Sequence, residues 1–373
     1  MRHRFNLCIG FLCALLGVLA APAAVMGQTS EGASFASRSD VKLSTIRSLV
    51  EAKDYASAEK LAEELCEEQP ELVDAWMMLG YARTLTGRYT ESNQAYDRAL
   101  AYGADRTEVF KLKAYNCRRL GDAQATRECY REIIEADPAN VEIRMQFAAY
   151  EASIENYEGA VLQLSEVLKV APDNIDAIEA VATAEEKRGN TAQVKYWLER
   201  GLAASTGDTR FLKRLSLVYL NEQNYTMAIH YLGKLIAVDP QNAGAYRNLG
   251  IAHYQQGNKK DARDAFEAVR RLGGKMEGLY GPLADCHRST GNRAAAMEVI
   301  REGIAAGDQK AWLYSVWGKI LEDQQSYDQA IEKFQLAVGQ HDEPWSGYAR
   351  KQIDRQAQLK KRAAMIAAQG AMD

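Results

Sequence analysis

The chain has 373 residues, of which 46 are basic and 50 acidic, giving a formal charge of −4; a basic nucleic-acid binder shows the opposite balance. With only seven prolines and 47% hydrophobic residues, the composition favours helices and a continuous core, and excludes a disordered or loop-dominated chain. The length suits either two or three compact domains or one elongated array.

The first four residues form a short basic stretch, residues 5–20 are almost entirely apolar, and residues 21–27 are small and include Pro22. This is the layout of a secretory signal peptide over residues 1–27, with cleavage at Ala21-Pro22-Ala23 or Val25-Met26-Gly27. The chain is therefore expected to be exported, to the periplasm in a bacterium and as a secreted protein otherwise. An uncleaved signal anchor is the rival reading, because the apolar run nearly spans a bilayer, and it is the only expected membrane contact. Cys8 and Cys13 lack the small preceding residue of a lipidated cysteine. Residues 28–38, rich in Ser, Ala and Gly, read as a flexible leader.

From residue 39 onward one pattern organises the chain, and its clearest copy is residues 243–272. Tyr246, Leu249 and His253 form one helical stripe and Ala262, Phe266 and Val269 another, broken at Gly257-Asn258, so two amphipathic helices meet as a hairpin. Stepping by 34 residues in both directions keeps the register without any insertion. Position 8 of each unit is then Ile46, Gly80, Ala114, Ala148, Ala182, Ser216, Gly250, Ala284 and Gly318, small in all but the first. Position 24 is Ala62, Tyr96, Tyr130, Leu164, Leu198, Leu232, Phe266, Ile300 and Phe334. Positions 15 and 16 are turn-like, as in Gly189-Asn190, and proline returns at position 32 as Pro70, Pro138, Pro172 and Pro240 to end the second helix.

Nine ungapped units over residues 39–344 resemble the tetratricopeptide repeat (TPR) family in period and in the placing of small and aromatic residues. The resemblance implies an all-α fold, a right-handed superhelical solenoid of antiparallel helix pairs whose first helices line a concave groove. The ends are expected to be atypical. In the first unit Lys42, Thr45 and Ile46 break the pattern, whereas residues 345–369 read as a C-terminal capping helix followed by a tail at 370–373. Arg350, Lys351, Arg355, Lys360, Lys361 and Arg362 keep that helix wet or offer a basic contact. Gly273, Gly274, Gly278, Gly281 and Pro282 crowd the entry to the eighth unit, so its first helix should start late or the array should bend there.

No phosphate-binding loop, His-Glu-x-x-His or Gly-x-Ser-x-Gly motif occurs, so neither an enzyme nor a cofactor is expected. His253 and His287 share position 11 of consecutive units beside Cys286, but a metal needs more ligands, and packing histidines are the expectation. Cys117 and Cys129 fall on the two helices of one hairpin and are a possible disulfide, against the alternative of small buried hydrophobes; Cys66 and Cys286 are too far apart to pair.

In the resembled family, positions 2, 5, 9 and 12 of the first helix face the groove. Here they supply Met77, Tyr81, Lys111, Tyr115 and Arg118 early in the array, and Arg210, Lys213, Leu217, Arg247, Tyr254 and Arg288 later. Tyrosine and arginine beside apolar residues suit a protein or peptide interface. The Lys-and-Asn pair by which some family members grip a C-terminal carboxylate is incomplete, since Lys111 is followed by Tyr115 and Lys213 by Leu217. The expected function is that of an exported scaffold or adaptor holding a partner segment in the groove, in assembly of an envelope or secretion complex. The alternative is a module of exopolysaccharide or envelope-polymer machinery that binds a glycan or anionic polymer. Ala262→Leu is expected to overpack the hairpin, with Lys259→Leu nearly neutral.

Overall fold

Each repeat reverses direction on a residue in the left-handed region. In the computed structural model, which describes residues 38–308 and 310–370, position 15 has a positive φ in all nine repeats, from 58° at Gln325 to 83° at Gly257. Glycine adopts this conformation without penalty, whereas Gln223 at 59° carries a cost of about 1 kcal/mol. The side chain of the next residue caps the second helix at Asp54, Asp122, Asn156, Asn224 and Asn292. Asn224 accepts from the Met227 amide at 3.2 Å and Asn292 from the Ala295 amide at 3.2 Å, satisfying donors that a helix start leaves open. Because turn and cap are fixed, second helices begin at Tyr55, Tyr89, Ala123, Tyr157, Thr191, Tyr225, Lys259, Arg293 and Tyr327, each one repeat length after the last. Those followed by proline end at Glu68, Ala136, Val170 and Val238, two residues before the ring.

Nineteen helices result, with no strand among the described residues: α1 Arg38–Glu51, α2 Tyr55–Glu68, α3 Val73–Leu85, α4 Tyr89–Ala101, α5 Arg106–Leu120, α6 Ala123–Ala136, α7 Val141–Ser153, α8 Tyr157–Val170, α9 Ile175–Lys187, α10 Thr191–Ala204, α11 Thr209–Asn221, α12 Tyr225–Val238, α13 Ala243–Gln255, α14 Lys259–Arg271, α15 Tyr280–Ser289, α16 Arg293–Ala306, α17 Lys310–Asp323, α18 Tyr327–Val338 and α19 Trp345–Gly370. The fold is all-α, of the superhelical repeat class. The signal and most of the leader read from the sequence lie outside the described residues, as do residues 371–373 of the tail, while Arg38 opens α1.

The described residues fall into two compact units divided between Cys129 and Tyr130, within α6. In the first unit α1 joins the core through Leu43, Ile46 and Val50. Its departure from the pattern is a size inversion: Ile46 is large where other repeats are small, Ala62 is small where they are large, and both are fully buried in one cluster. In the second unit, residues from α7 to α13 form one apolar cluster around Leu198, Phe211 and Leu215. Another gathers Phe266, Leu283 and Ile300, and α19 closes on Phe334 and Leu321 through Ala349, Tyr348 and Ile353.

The glycine cluster before α15 delays that helix. Gly273 and Gly278 have φ of 67° and 75°, and α15 starts three residues after the position the register assigns it, spanning only 10 residues. Pro282 is its third residue, where no intrahelical amide bond is lost. Gly281 sits against the Trp312 indole, which a Cβ would meet at 2.6 Å.

Ala262 is fully buried beside Phe266, so Ala262→Leu should lower the stability of the second unit by about 1–2 kcal/mol in urea unfolding. Lys259 is not the inert control expected of it, because its Nζ lies 3.1 Å from a carboxylate oxygen of buried Asp285 and 3.2 Å from the Tyr254 ring centroid. The exposed neighbour Lys260 takes that place, and Lys260→Leu should change stability by less than about 0.5 kcal/mol. Equal losses for the two leucine variants would place the helix contact elsewhere.

Candidate binding groove

Alanine at inward-facing positions leaves room. In the second unit α7 offers Met145, Ala149 and Ala152 at positions 5, 9 and 12, and α9 offers Asp176, Glu179 and Thr183 at positions 2, 5 and 9; these side chains line a cavity of about 480 Å³. Tyr157 and Leu164 of α8 also border it. The floor is apolar and one rim is acidic. Part of that rim is already engaged, since Glu179 accepts from Arg210 Nη1 at 2.6 Å and Thr183 Oγ1 from Arg214 Nη1 at 3.1 Å. Arg214 also pairs with Glu186 at 2.8 Å, so cationic side chains of α11 tie its inner line to that of α9.

Further along the unit the same positions close on themselves. Tyr254 donates its hydroxyl to Asp285 at 2.9 Å, and Lys259 and Arg288 reach the same carboxylate at 3.1 Å and 3.4 Å. Arg288 continues to Asp323 at 3.2 Å. Burial alone would raise the Asp285 carboxyl, but Lys259 and Lys319, with the hydrogen bonds from Lys259 and Tyr254, hold it below its usual range. Burial, and then Asp285, push the Tyr254 hydroxyl up, while burial pulls the Lys319 ammonium down. Lys319 lies 4.9 Å from the Tyr348 ring centroid on α19, and Gln356 and Arg355 of that helix contact Glu322 at 2.7 Å and 2.9 Å. An aromatic wall borders this network: Trp312 stacks on Trp345 at 4.3 Å and meets Tyr254 edge-on at 6.1 Å.

The residues expected to line the groove have different fates. In the first unit Tyr81 is only 5% exposed and belongs to the core, so its removal would open a cavity rather than strip a contact surface. Met77 is half-buried against Tyr96, Val109 and Leu112, Lys111 and Tyr115 are half-buried, and Arg118 is exposed. Tyr115 meets Tyr89 edge-on at 6.4 Å. In the second unit Lys213 is exposed, Arg247 donates to the Lys275 carbonyl at 3.3 Å, and Tyr254 and Arg288 are consumed by Asp285. The cavity itself was missed because its determinants are alanines, which carry no chemical signal. Asp285 and Lys319, both at position 9, were legible as opposite charges one repeat apart on the predicted inner line.

Cys117 and Cys129 are buried and adjacent in one cluster, and both are free thiols in the structure. His287 is buried and contacts Glu267 at 2.8 Å through Nε2. Among the described residues no group of three or more His, Cys, Asp and Glu is placed to hold a metal ion, and no helix is long and apolar enough to cross a membrane. Part of the basic charge of α19 is engaged, since Lys360 pairs with Asp328 at 2.6 Å and Arg350 with Glu343 at 3.1 Å.

Stacked helix pairs with a repeating small-to-large contact and an open inner line define a helical-repeat scaffold suited to protein–protein interaction. Residues 43–107 and 214–276, one segment in each unit, match the tetratricopeptide repeat family model. The ER membrane protein complex subunit 2 of Xenopus tropicalis is 23% identical over 233 residues, covering 60% of this chain and 77% of its own length. The BBSome complex member BBS4 of Bos taurus is 24% identical over 199 residues, covering 44% of this chain and 37% of its own. Among solved structures, that of Naa15/Naa10 bound to HypK-THB covers 87% of this chain and 51% of its own, with a TM-score of 0.54 at 15% identity; this likeness concerns the fold.

Proposed function

We propose that the protein is an exported, non-enzymatic adaptor that holds an extended segment of a partner protein along the inner face of its second unit. The segment seats a bulky apolar side chain between α7 and α9. The observation that carries this reading is the 480 Å³ cavity lined by inner positions of two successive repeats, a volume that accommodates a large apolar side chain and neighbouring backbone. The wall is built on helices that are already ordered, so binding spends little free energy on arranging it. The names of two relatives, a complex subunit and a complex member, agree with a role in assembly. The setting, an envelope or secretion complex, rests on the signal-like residues 1–27.

A photo-crosslinking residue at exposed position 149, used in the native host, should capture a defined partner protein. Ala152→Trp should fill the cavity, reduce that capture at least tenfold and leave the thermal midpoint within a few degrees of the parent. Undiminished capture by a folded Ala152→Trp variant would remove the cavity from the reading. Cell fractionation tests export separately, and a full-length cytosolic product would contradict it.

A further inference from the structure

Residues 84–129 of the first unit contain a line of buried polar groups that ends on two sulfurs. Thr84 Oγ1 lies 2.8 Å from Ser92 Oγ and donates to Asn116 Oδ1 at 3.0 Å. Asn116, fully buried, donates from Nδ2 to Ser92 Oγ at 2.9 Å and to Asn93 Oδ1 at 2.8 Å. The Asn93 amide then donates to Cys117 Sγ at 3.6 Å, and Cys129 packs in the same buried cluster as Cys117. An amide donor aimed at a sulfur favours its charged form, and only Cys117 of the two receives this one.

We propose that Cys117 and Cys129 form a reversible dithiol–disulfide pair in the folded protein, with Cys117 as the attacking thiolate and Cys129 as the resolving thiol. The oxidant is a low-molecular-weight disulfide. Cys117 attacks one of its sulfurs, giving a mixed disulfide and expelling one small thiolate. Cys129 gives up its proton and attacks Cys117 Sγ, forming the intramolecular bond and expelling the second. The net exchange turns the protein dithiol and the small disulfide into a protein disulfide and two small thiols, and the two protons released by the cysteines end on those thiols.

The other described cysteines show what is special about this pair. Burial pushes the Cys66 and Cys286 thiols up to about 12. At Cys117 the hydrogen bond from Cys129, with that from Asn93, outweighs burial and holds the thiol below its usual range, while Cys129 is held above it, first by Cys117 and then by burial. Cys117 is 4% exposed, but half-buried Asn93 lies beside it and the residues that follow, Arg118, Arg119 and Leu120, are exposed at the end of α5. A small reagent would reach Cys117 through local opening of that last turn, where only the Gly121 and Asp122 amides close the helix end. The bond would fasten α5, which carries Lys111, Tyr115 and Arg118, to α6, so the redox state of the surroundings would set how firmly that helix is held.

The test treats the folded, full-length protein with excess oxidised glutathione, quenches with N-ethylmaleimide and maps the peptides. A Cys117–Cys129 cross-linked peptide is expected, with the Cys117 thiol lost at least tenfold faster than Cys66 or Cys286 and restored by dithiothreitol. Cys129→Ser should stop the reaction at a glutathione adduct on Cys117, and Asn93→Ala should slow the formation of that adduct. Cys117 and Cys129 labelled by maleimide as fully as Cys66 would overturn the proposal. So would a cross-link that appears only after unfolding in urea, and an adduct on Cys129 in Cys117→Ser that forms as fast as the adduct on Cys117 in Cys129→Ser would overturn the assignment of Cys117 as the attacking thiol.

Discussion

Asp285→Ala is expected to lower the stability of the second unit by about 3–5 kcal/mol, because it strips the anion from a buried cationic cluster. Asp285 is 7% exposed, and its carboxylate accepts from Tyr254, Lys259 and Arg288 while Lys319 stands close enough to act on it. Replacing the whole cluster by apolar residues of the same shape would cost far less, since the desolvation of the charges would vanish with their attraction. Removing one partner leaves the desolvation in place. The loss has a ceiling because Lys319, already pulled down by burial, can shed its proton once its anion is gone. The measurement is urea unfolding followed by tryptophan fluorescence, with exposed Asp173→Ala as reference. If the two variants shift the midpoint equally, the cluster contributes nothing.

Acid titration separates charge from packing at this site. The folded carboxyl of Asp285 titrates below its unfolded value, so its contribution is fully present above the unfolded pKa of about 3.9 and is lost as the pH falls through the folded pKa. The stability gap between the parent and Asp285→Asn, which keeps the shape without the charge, should be constant near neutrality and should shrink below about pH 4. A gap that persists undiminished at pH 2 would assign the effect to packing or hydrogen bonding alone.

Much of the fold was legible because its determinants are steric and periodic. The left-handed turn at position 15 recurs in every repeat, with Asn or Asp after it in seven of the nine and proline at position 32 in four, and together they place the second helices residue by residue. The site was less legible. A groove position advertises chemistry only when its side chain is large or charged, so Tyr81 looked like contact surface although it is core, and Ala149 and Ala152 looked empty although they shape the cavity. Periodicity also cannot tell a charge facing a partner from one facing its own neighbour. Arg247 and Arg288 sit on the expected line, yet a carbonyl and two carboxylates of the same chain hold them.

The pairing of positions 8 and 24 yields the second large effect. A Cβ on Gly250 would lie 2.4 Å from Cε1 and 2.5 Å from Cδ1 of Phe266, a ring with no exposed surface and no room to retreat. The same conflict faces Gly80 with Tyr96 and Gly318 with Phe334. Where position 8 is alanine or serine within one unit, position 24 is aliphatic: Ala148 with Leu164, Ala182 with Leu198, Ser216 with Leu232 and Ala284 with Ile300. The summed volume of each such pair therefore changes less than either side chain alone, as close packing requires. Gly250→Ala should gain about 1 kcal/mol of helix propensity and lose more to the clash, for a net cost of about 2 kcal/mol. Phe266→Leu alone should cost about 1–2 kcal/mol through the space it leaves. Together they recreate the Ala182 and Leu198 pair, and the double variant should be more stable than the sum of the single losses by about 1–2 kcal/mol, read as the coupling in a double-mutant cycle. Strict additivity would mean that the backbones of α13 and α14 are held apart by something other than this contact.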